Sequence, residues 1–192
     1  MSDKFAFLPS AIPEVLIVEP ARFGDLRGFF SETYSRDAFR EAGIAMEFVQ
    51  DNHSQSERAG TLRGLHFQSP PFAQGKLVRC VRGAILDVAV DIRNGSPTFG
   101  RHVAVELSQA NWRQILVPKG FAHGFLTLEP ASEVVYKVSA PYAAAHDLGV
   151  AFDDPFIGVA WPTPADRLIL SDKDRRQPLL ADLPAYFDVR TP

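Results

Sequence analysis

Cysteine is all but missing from this chain of 192 residues. Cys80 stands alone, so no intramolecular disulfide can form, and its place in an apolar stretch reads as packing rather than as a reactive thiol. An excess of positive charge is missing too. Twenty Lys and Arg stand against 23 Asp and Glu, and the net charge of -3 argues against a general nucleic-acid surface while leaving room for a local basic pocket that faces a phosphate. Long apolar runs are also lacking. Met1 to Ser10 holds no basic region followed by a sustained apolar stretch, and Asp87 and Asp91 interrupt the most apolar later segment. Export and membrane insertion are therefore not expected, and a cytoplasmic address is. Internal repeats and low-complexity segments are absent.

What is present is a globular composition, 46% apolar and 22% charged, sufficient for one domain spanning residues 1–192 with no linker. Its apolar residues mostly recur with period two, the mark of strands with one buried face. In LDVAVDIR, Leu86, Val88, Val90 and Ile92 alternate with Asp87, Ala89, Asp91 and Arg93, and NGSP then supplies a turn. RHVAVEL repeats the pattern through Val103, Val105 and Leu107. Further strand candidates are VLIVEP, FFSETY, LRGLHFQ, KLVRCVRG, RQILVP, FLTL and EVVYKV. So many short strands predict a mainly β sandwich or barrel. The helical signal is slight: SRDAFREAG, which Ser35 can cap and Gly43 can end, and a turn at SDKD. The tail after Trp161, richer in Pro and charge, is expected to wrap the barrel.

Chemistry concentrates in TLRGLHFQSPPFAQGKLVR, residues 61 to 79, where an arginine, a histidine and a lysine gather around glycines and a double proline. Such a segment suggests an anionic ligand held beside a base. His66 has Gly64 and Gln68 as its neighbours by alternation, so that face carries little apolar bulk and reads as a cavity wall. Strict alternation puts Arg63 on the other face, unless a bulge at Gly64 turns both residues the same way, which is the arrangement expected here. A metal centre is disfavoured. His123 in PKGFAHGF could join His66, but where an HxH ligand pair would stand the chain has His66-Phe67-Gln68, and His53, His102 and His146 show no ligand spacing.

Taken in order, GDLRGFFSETY, FVQDNHS, TLRGLHFQ, GKLVRCVRGAILDVAVDIRNGSPTFG, VPKGFAHGFLTL, VVYKVSAPY, FDDPFIGVAWP and LSDKD resemble the dTDP-4-dehydrorhamnose 3,5-epimerases, whose fold is a cupin-type jelly roll with a few short helices. The resemblance covers nearly the whole chain. It implies a nucleotide-sugar epimerase needing no cofactor and no metal, in which His66 is the base, Asp174 its carboxylate partner, Lys76 the cation beside the enolate oxygen, and Tyr136 the acid on the opposite ring face. It also implies that Arg27, Phe29, Glu32, Gln50, Asp51, Asn52, Arg63, His123, Tyr142, Asp147 and Lys173 hold the dTDP-sugar, with Tyr142 stacked on thymine. A homodimer with exchanged N-terminal strands would let the 27 to 32 segment serve the partner's site.

One departure stands out. In YAAAHDLG the family's usual glutamates and proline give way to Ala144, Ala145 and Asp147, and Asp147 is one methylene shorter than the glutamate it replaces. A water could bridge the gap to a ligand. Relatives with the same barrel invert only C3 or only C5, outcomes these residues do not separate although Tyr136 favours the double epimerisation, and two readings from other classes remain. A metal-dependent cupin dioxygenase would need ligands that His66-Phe67-Gln68 does not supply. A non-catalytic sugar-binding barrel would have no use for an acid and a base.

Overall fold

Across residues 4–189, the part of the chain that the computed structural model describes, the alternating pattern forms thirteen β-strands and a single α-helix. Residues 1–3, the start of the Met1–Ser10 segment, and residues 190–192 lie outside that range. The strands are β1 (Phe5–Pro9), β2 (Leu16–Pro20), β3 (Phe23–Asp25), β4 (Gly28–Phe30), β5 (Gln50–Ser56), β6 (Leu62–Gln68) and β7 (Lys76–Arg82). They continue with β8 (Ala84–Asp91), β9 (His102–Ser108), β10 (Gln114–Val117), β11 (Phe121–Thr127), β12 (Ser132–Val138) and β13 (Asp147–Gly149). One antiparallel sheet runs β1-β2-β10-β7-β12-β5 and a second runs β13-β6-β11-β8-β9, while β3 and β4 form a separate hairpin. The chain passes repeatedly from one sheet to the other, as a double-sheet jelly roll requires. The mainly β expectation holds. No helix among the described residues is long and apolar enough to cross a membrane.

Between the sheets lies the main core: Val78, Cys80, Ile115, Val117 and Val134 from one side meet Ile85, Ala89, Val103, Leu107, Phe121 and Phe125 from the other. The expectation of one buried face per strand fails for β8. Its Val88 and Val90 point away from the sheet interface, where they are covered by Leu180, Trp161, Leu183, Tyr186 and Phe187 of the C-terminal tail. That tail wraps the five-stranded sheet, so the apolar row of LDVAVDIR faces the tail while Asp87 faces inward between Ile85 and Ala89, fully buried.

The outer face of the six-stranded sheet is covered by helix α1 (Arg36–Glu41). Its first turn is capped by the Ser35 hydroxyl, which accepts from the Ala38 N–H at 3.5 Å, and Gly43 at φ +82° leads the chain away as expected. Phe39 buries completely against Phe5, Leu77 and Leu116, a burial that contributes about 1.5–3 kcal/mol. FFSETY, by contrast, is strand only as far as Phe30. Side chains hold the rest: Trp112 Nε1–H donates to Ser31 Oγ at 3.0 Å and Gln114 donates to the Thr33 carbonyl at 2.8 Å. His53 lies in β5. QDNHSQS contains no apolar residue, and β5 is an edge strand that among the described residues pairs only with β12.

The register of β6 against β11 carries the bulge. His66 pairs with His123 and Arg63 with Phe125, so three residues of β6 span two of β11. Leu65 and Phe67 consequently pack under the tail and Leu62 beside Leu126 and Leu168, leaving Arg63, His66 and Gln68 on the inner side. Gly64 sits at φ +136°, and a Cβ there would lie 2.5 Å from the Cα of Gly124. Both the backbone angle and the missing space demand glycine. Gly64→Ala is expected to destabilise the protein by about 2–4 kcal/mol, read from urea denaturation, with activity lost in whatever fraction remains folded because His66 is displaced.

Candidate active site

Polar side chains from both sheets converge on a cavity of about 220 Å³. Its walls carry His66 and Gln68 from β6, Lys76 from β7, Tyr136 from β12, and Gln50 and Asn52 from β5. Tyr142 and Asp147 stand at its mouth. Clefts of about 490 Å³ beside β1 and about 560 Å³ beside Gly120 are larger, but neither brings an imidazole, a phenol and an ammonium together.

His66 is held from behind. Its Nε2 lies 2.5 Å from Asp174 Oδ1, and the other carboxylate oxygen accepts from the Ser171 hydroxyl at 2.8 Å. The turn at SDKD begins in this arrangement, with Ser171 Oγ accepting the Asp174 N–H at 3.1 Å, so the cap is a serine and the carboxylate is left for the imidazole. Burial alone would raise the Asp174 carboxyl, but the hydrogen bond and charge of His66, the Ser171 hydroxyl and Lys173 together hold it below the usual range. An ionised Asp174 can only accept, which puts the imidazole proton on Nε2 and leaves the Nδ1 lone pair for a substrate.

On the facing sheet, Lys76 is buried and its ammonium makes no hydrogen bond with any of the described residues, so it remains for a ligand oxygen. Burial pushes it down to about 8, against the opposing pull of Asp87 and Asp147. Tyr136 is raised first by burial and then by Asp147, with Arg63 opposing, so its phenol stays protonated at neutral pH. Base and phenol thus face each other from opposite sheets.

Gln68 has a positive role that its difference from histidine did not reveal. Its amide donates to the Phe72 carbonyl at 2.7 Å and the Pro141 carbonyl at 3.1 Å, while its oxygen accepts the Ala143 N–H at 2.8 Å. It grips the chain on both sides of Tyr142. The Tyr142 hydroxyl donates to Asp147 at 3.1 Å, and Asp147 also accepts from Lys173 at 2.5 Å, so the shortened acid ties the aromatic at the mouth to the segment carrying Asp174.

The remaining expected residues lie farther out. Arg63 is exposed near Tyr136, donating to Ser56 and to the Gln55 carbonyl. Asp51 is turned to the other side of β5 from Gln50 and Asn52 and pairs with Lys137 at 2.8 Å, so this chain does not bring it to the cavity. Arg27, Phe29 and Glu32 are not brought there either. Arg27 and Phe29 sit on the hairpin, Arg27 paired with Asp25 and Phe29 against Trp112, while Glu32 beyond it pairs with Lys4. His123 is buried opposite His66 and bound to both oxygens of Asp87, at 2.9 and 3.0 Å. Asp87 was legible only as a break in an apolar run; the sign of its role was a carboxylate on the inner face of a strand. Among the described residues no three His, Cys, Asp or Glu side chains are grouped as a metal ion would need.

Comparison with known proteins agrees with this geometry. The family model described as dTDP-4-dehydrorhamnose 3,5-epimerase matches residues 9–182. A dTDP-4-dehydrorhamnose 3,5-epimerase of Sinorhizobium fredii is 53% identical over 96% of this chain and 94% of its own. Among solved structures, the enzyme of that name from Bacillus anthracis, with TDP and PPi bound, superposes at a TM-score of 0.88 with 48% identity, covering 91% of this chain and 99% of that one. A dTDP-6-deoxy-D-glucose-3,5-epimerase from Legionella pneumophila, in complex with dTDP-4-keto-L-rhamnose, gives a TM-score of 0.90 at 43% identity, with 94% and 95% coverage. The chain belongs to the dTDP-4-dehydrorhamnose 3,5-epimerase family.

Proposed function

We propose that this protein epimerises dTDP-4-dehydro-6-deoxy-D-glucose at C3 and C5, giving dTDP-4-dehydro-L-rhamnose for dTDP-L-rhamnose biosynthesis, in the cytoplasm. The observation that carries the reading is the facing of the His66–Asp174 pair by Tyr136 and Lys76 across one cavity. Both carbons lie next to the C4 ketone, so their protons are acidic and one base can serve each in turn. His66 Nδ1 takes the proton, the C–H electrons move to O4 as an enolate, and the Lys76 ammonium stabilises the charge that develops there. Tyr136 then delivers a proton to the carbon from the other ring face. The turn leaves an imidazolium and a phenolate, which are reset by exchange with water. Asp174 stabilises the imidazolium while it lasts. Gln50, Asn52, Arg63, His123, Tyr142, Asp147 and Lys173 hold the dTDP-sugar, with Tyr142 against the thymine.

Incubation with this substrate in deuterated water, followed by NMR, is expected to show deuterium at both C3 and C5. Exchange at one carbon only would mean a single epimerase; exchange at neither would sink the reading. His66→Ala should slow exchange at both carbons roughly a hundredfold to ten-thousandfold.

Because Lys76 acts in its charged form and its affinity for the proton is lowered to about 8, the charge is lost as pH rises through that value. A plot of kcat/KM against pH should therefore fall on the alkaline side with a midpoint near 8, and Lys76→Arg should move that fall to higher pH.

The hairpin supports a homodimer with exchanged N-terminal segments. Phe23, Leu26, Phe29 and Phe30 are exposed together on it, which favours burial against a partner. There Arg27, Phe29 and Glu32 serve the other subunit's cavity. Mixing inactive Arg27→Ala with inactive His66→Ala should restore about one site in four after subunit exchange, measured as turnover.

A further inference from the structure

Asp87 is a carboxylate with no access to solvent, on the inner face of β8, flanked along the strand by Ile85 and Ala89 of the core. Its partners across the ladder, Phe125 on β11 and Val105 on β9, are apolar. A charge in that position is costly unless it is paired and hydrogen-bonded. The pairing is specific. Both oxygens reach His123 Nε2, at 2.9 and 3.0 Å, and His123 stands in register opposite His66. From the facing sheet, Lys76 lies close enough for its ammonium to feel the charge of Asp87 and to act on His123.

We propose that Asp87 is a positioning residue for the reaction, a buried carboxylate that locks His123 into one tautomer and orientation and supplies the fixed countercharge for Lys76. The inference rests on the epimerase reading above. A carboxylate facing Nε2 with both oxygens requires the imidazole proton there, so Nδ1 of His123 is an acceptor, suited to a substrate hydroxyl and not to an anion. Asp87 also explains how an ammonium persists in a closed barrel. Around Lys76 stand Asp87 on β8, Asp147 on β13, His66 on β6 with Asp174 behind it, His123 on β11, and Tyr136 on β12 with Arg63 beyond; its ladder partners Val117 and Val138 are apolar. Of the two carboxylates whose charge favours the ammonium directly, Asp87 is the stronger influence, and Asp147 already binds Lys173.

Asp87→Asn separates the two roles, since its amide oxygen still accepts from His123 Nε2–H while the charge is gone. With the wild-type protein first shown to turn over the keto-sugar, the variant's kcat/KM should be about tenfold lower at pH 8 but within about threefold of wild type at pH 6.5, because the alkaline fall moves to lower pH. A profile of unchanged shape, merely scaled down, would overturn the proposal while leaving the epimerase reading intact. Wild-type protein inactive at every pH would instead remove the reading on which it rests. Should the variant fail to fold, nitrogen-15 NMR of the wild-type imidazoles decides. Burial lowers the His123 imidazole, so it is expected to stay neutral and protonated on Nε2 below the pH at which a free imidazole titrates, and an Nδ1–H tautomer or a titration at or above the free value would refute the assignment.

Discussion

The extra residue in β6 is the constraint from which the site follows. An unbroken strand would place Leu62 and Arg63 correctly and then put His66 on the same outer side as Leu62, buried under the tail. By spending three residues where β11 spends two, β6 keeps Leu62, Leu65 and Phe67 outside and Arg63, His66 and Gln68 inside. Gly64 makes this feasible because its backbone lies where a side chain would meet Gly124. One small residue thus reconciles an apolar outer layer with a polar inner wall.

Once His66 faces inward, the chemistry depends on how charges are kept in a closed space. The charged groups around the cavity have counterparts: His66 has Asp174, His123 has Asp87, and Lys76 lies in the field of Asp87 and Asp147. The pairs also set which groups stay available. Asp174 leaves one imidazole nitrogen of His66 without its proton, burial keeps the Tyr136 phenol protonated, and the ammonium of Lys76 is left without a hydrogen-bond partner among the described residues. A site in which every charge were neutralised by contact would have nothing left to offer an enolate.

The departure in YAAAHDLG acquires a structural meaning. A shorter acid at 147 reaches both the Tyr142 hydroxyl and Lys173, so part of its hydrogen-bonding capacity is turned to holding the mouth of the cavity. Gln68 braces the same aromatic from within through the Pro141 carbonyl and the Ala143 N–H. The position of Tyr142 is therefore set by residues on two separate strands and a turn near the C-terminus.

Much of this was legible along the chain. Alternation located most of the strands, Ser35 and Gly43 bounded the helix, and the ordered motifs identified the family and pointed to His66, Lys76, Tyr136 and Asp174, which the fold gathers at one cavity, because local propensity and short motifs are carried by neighbouring residues. What escaped was set by partners far away in sequence. QDNHSQS has no apolar residue to mark it as a strand, since its inner side lines a cavity and its edge is unpaired. LDVAVDIR announced the face that the tail covers and concealed the importance of Asp87, because period two says that faces differ and not which one looks inward. The amino-acid order determined which groups are present and their local conformation; only tertiary packing decided which charges share a closed space, because burial and pairing depend on residues brought together by the facing sheets.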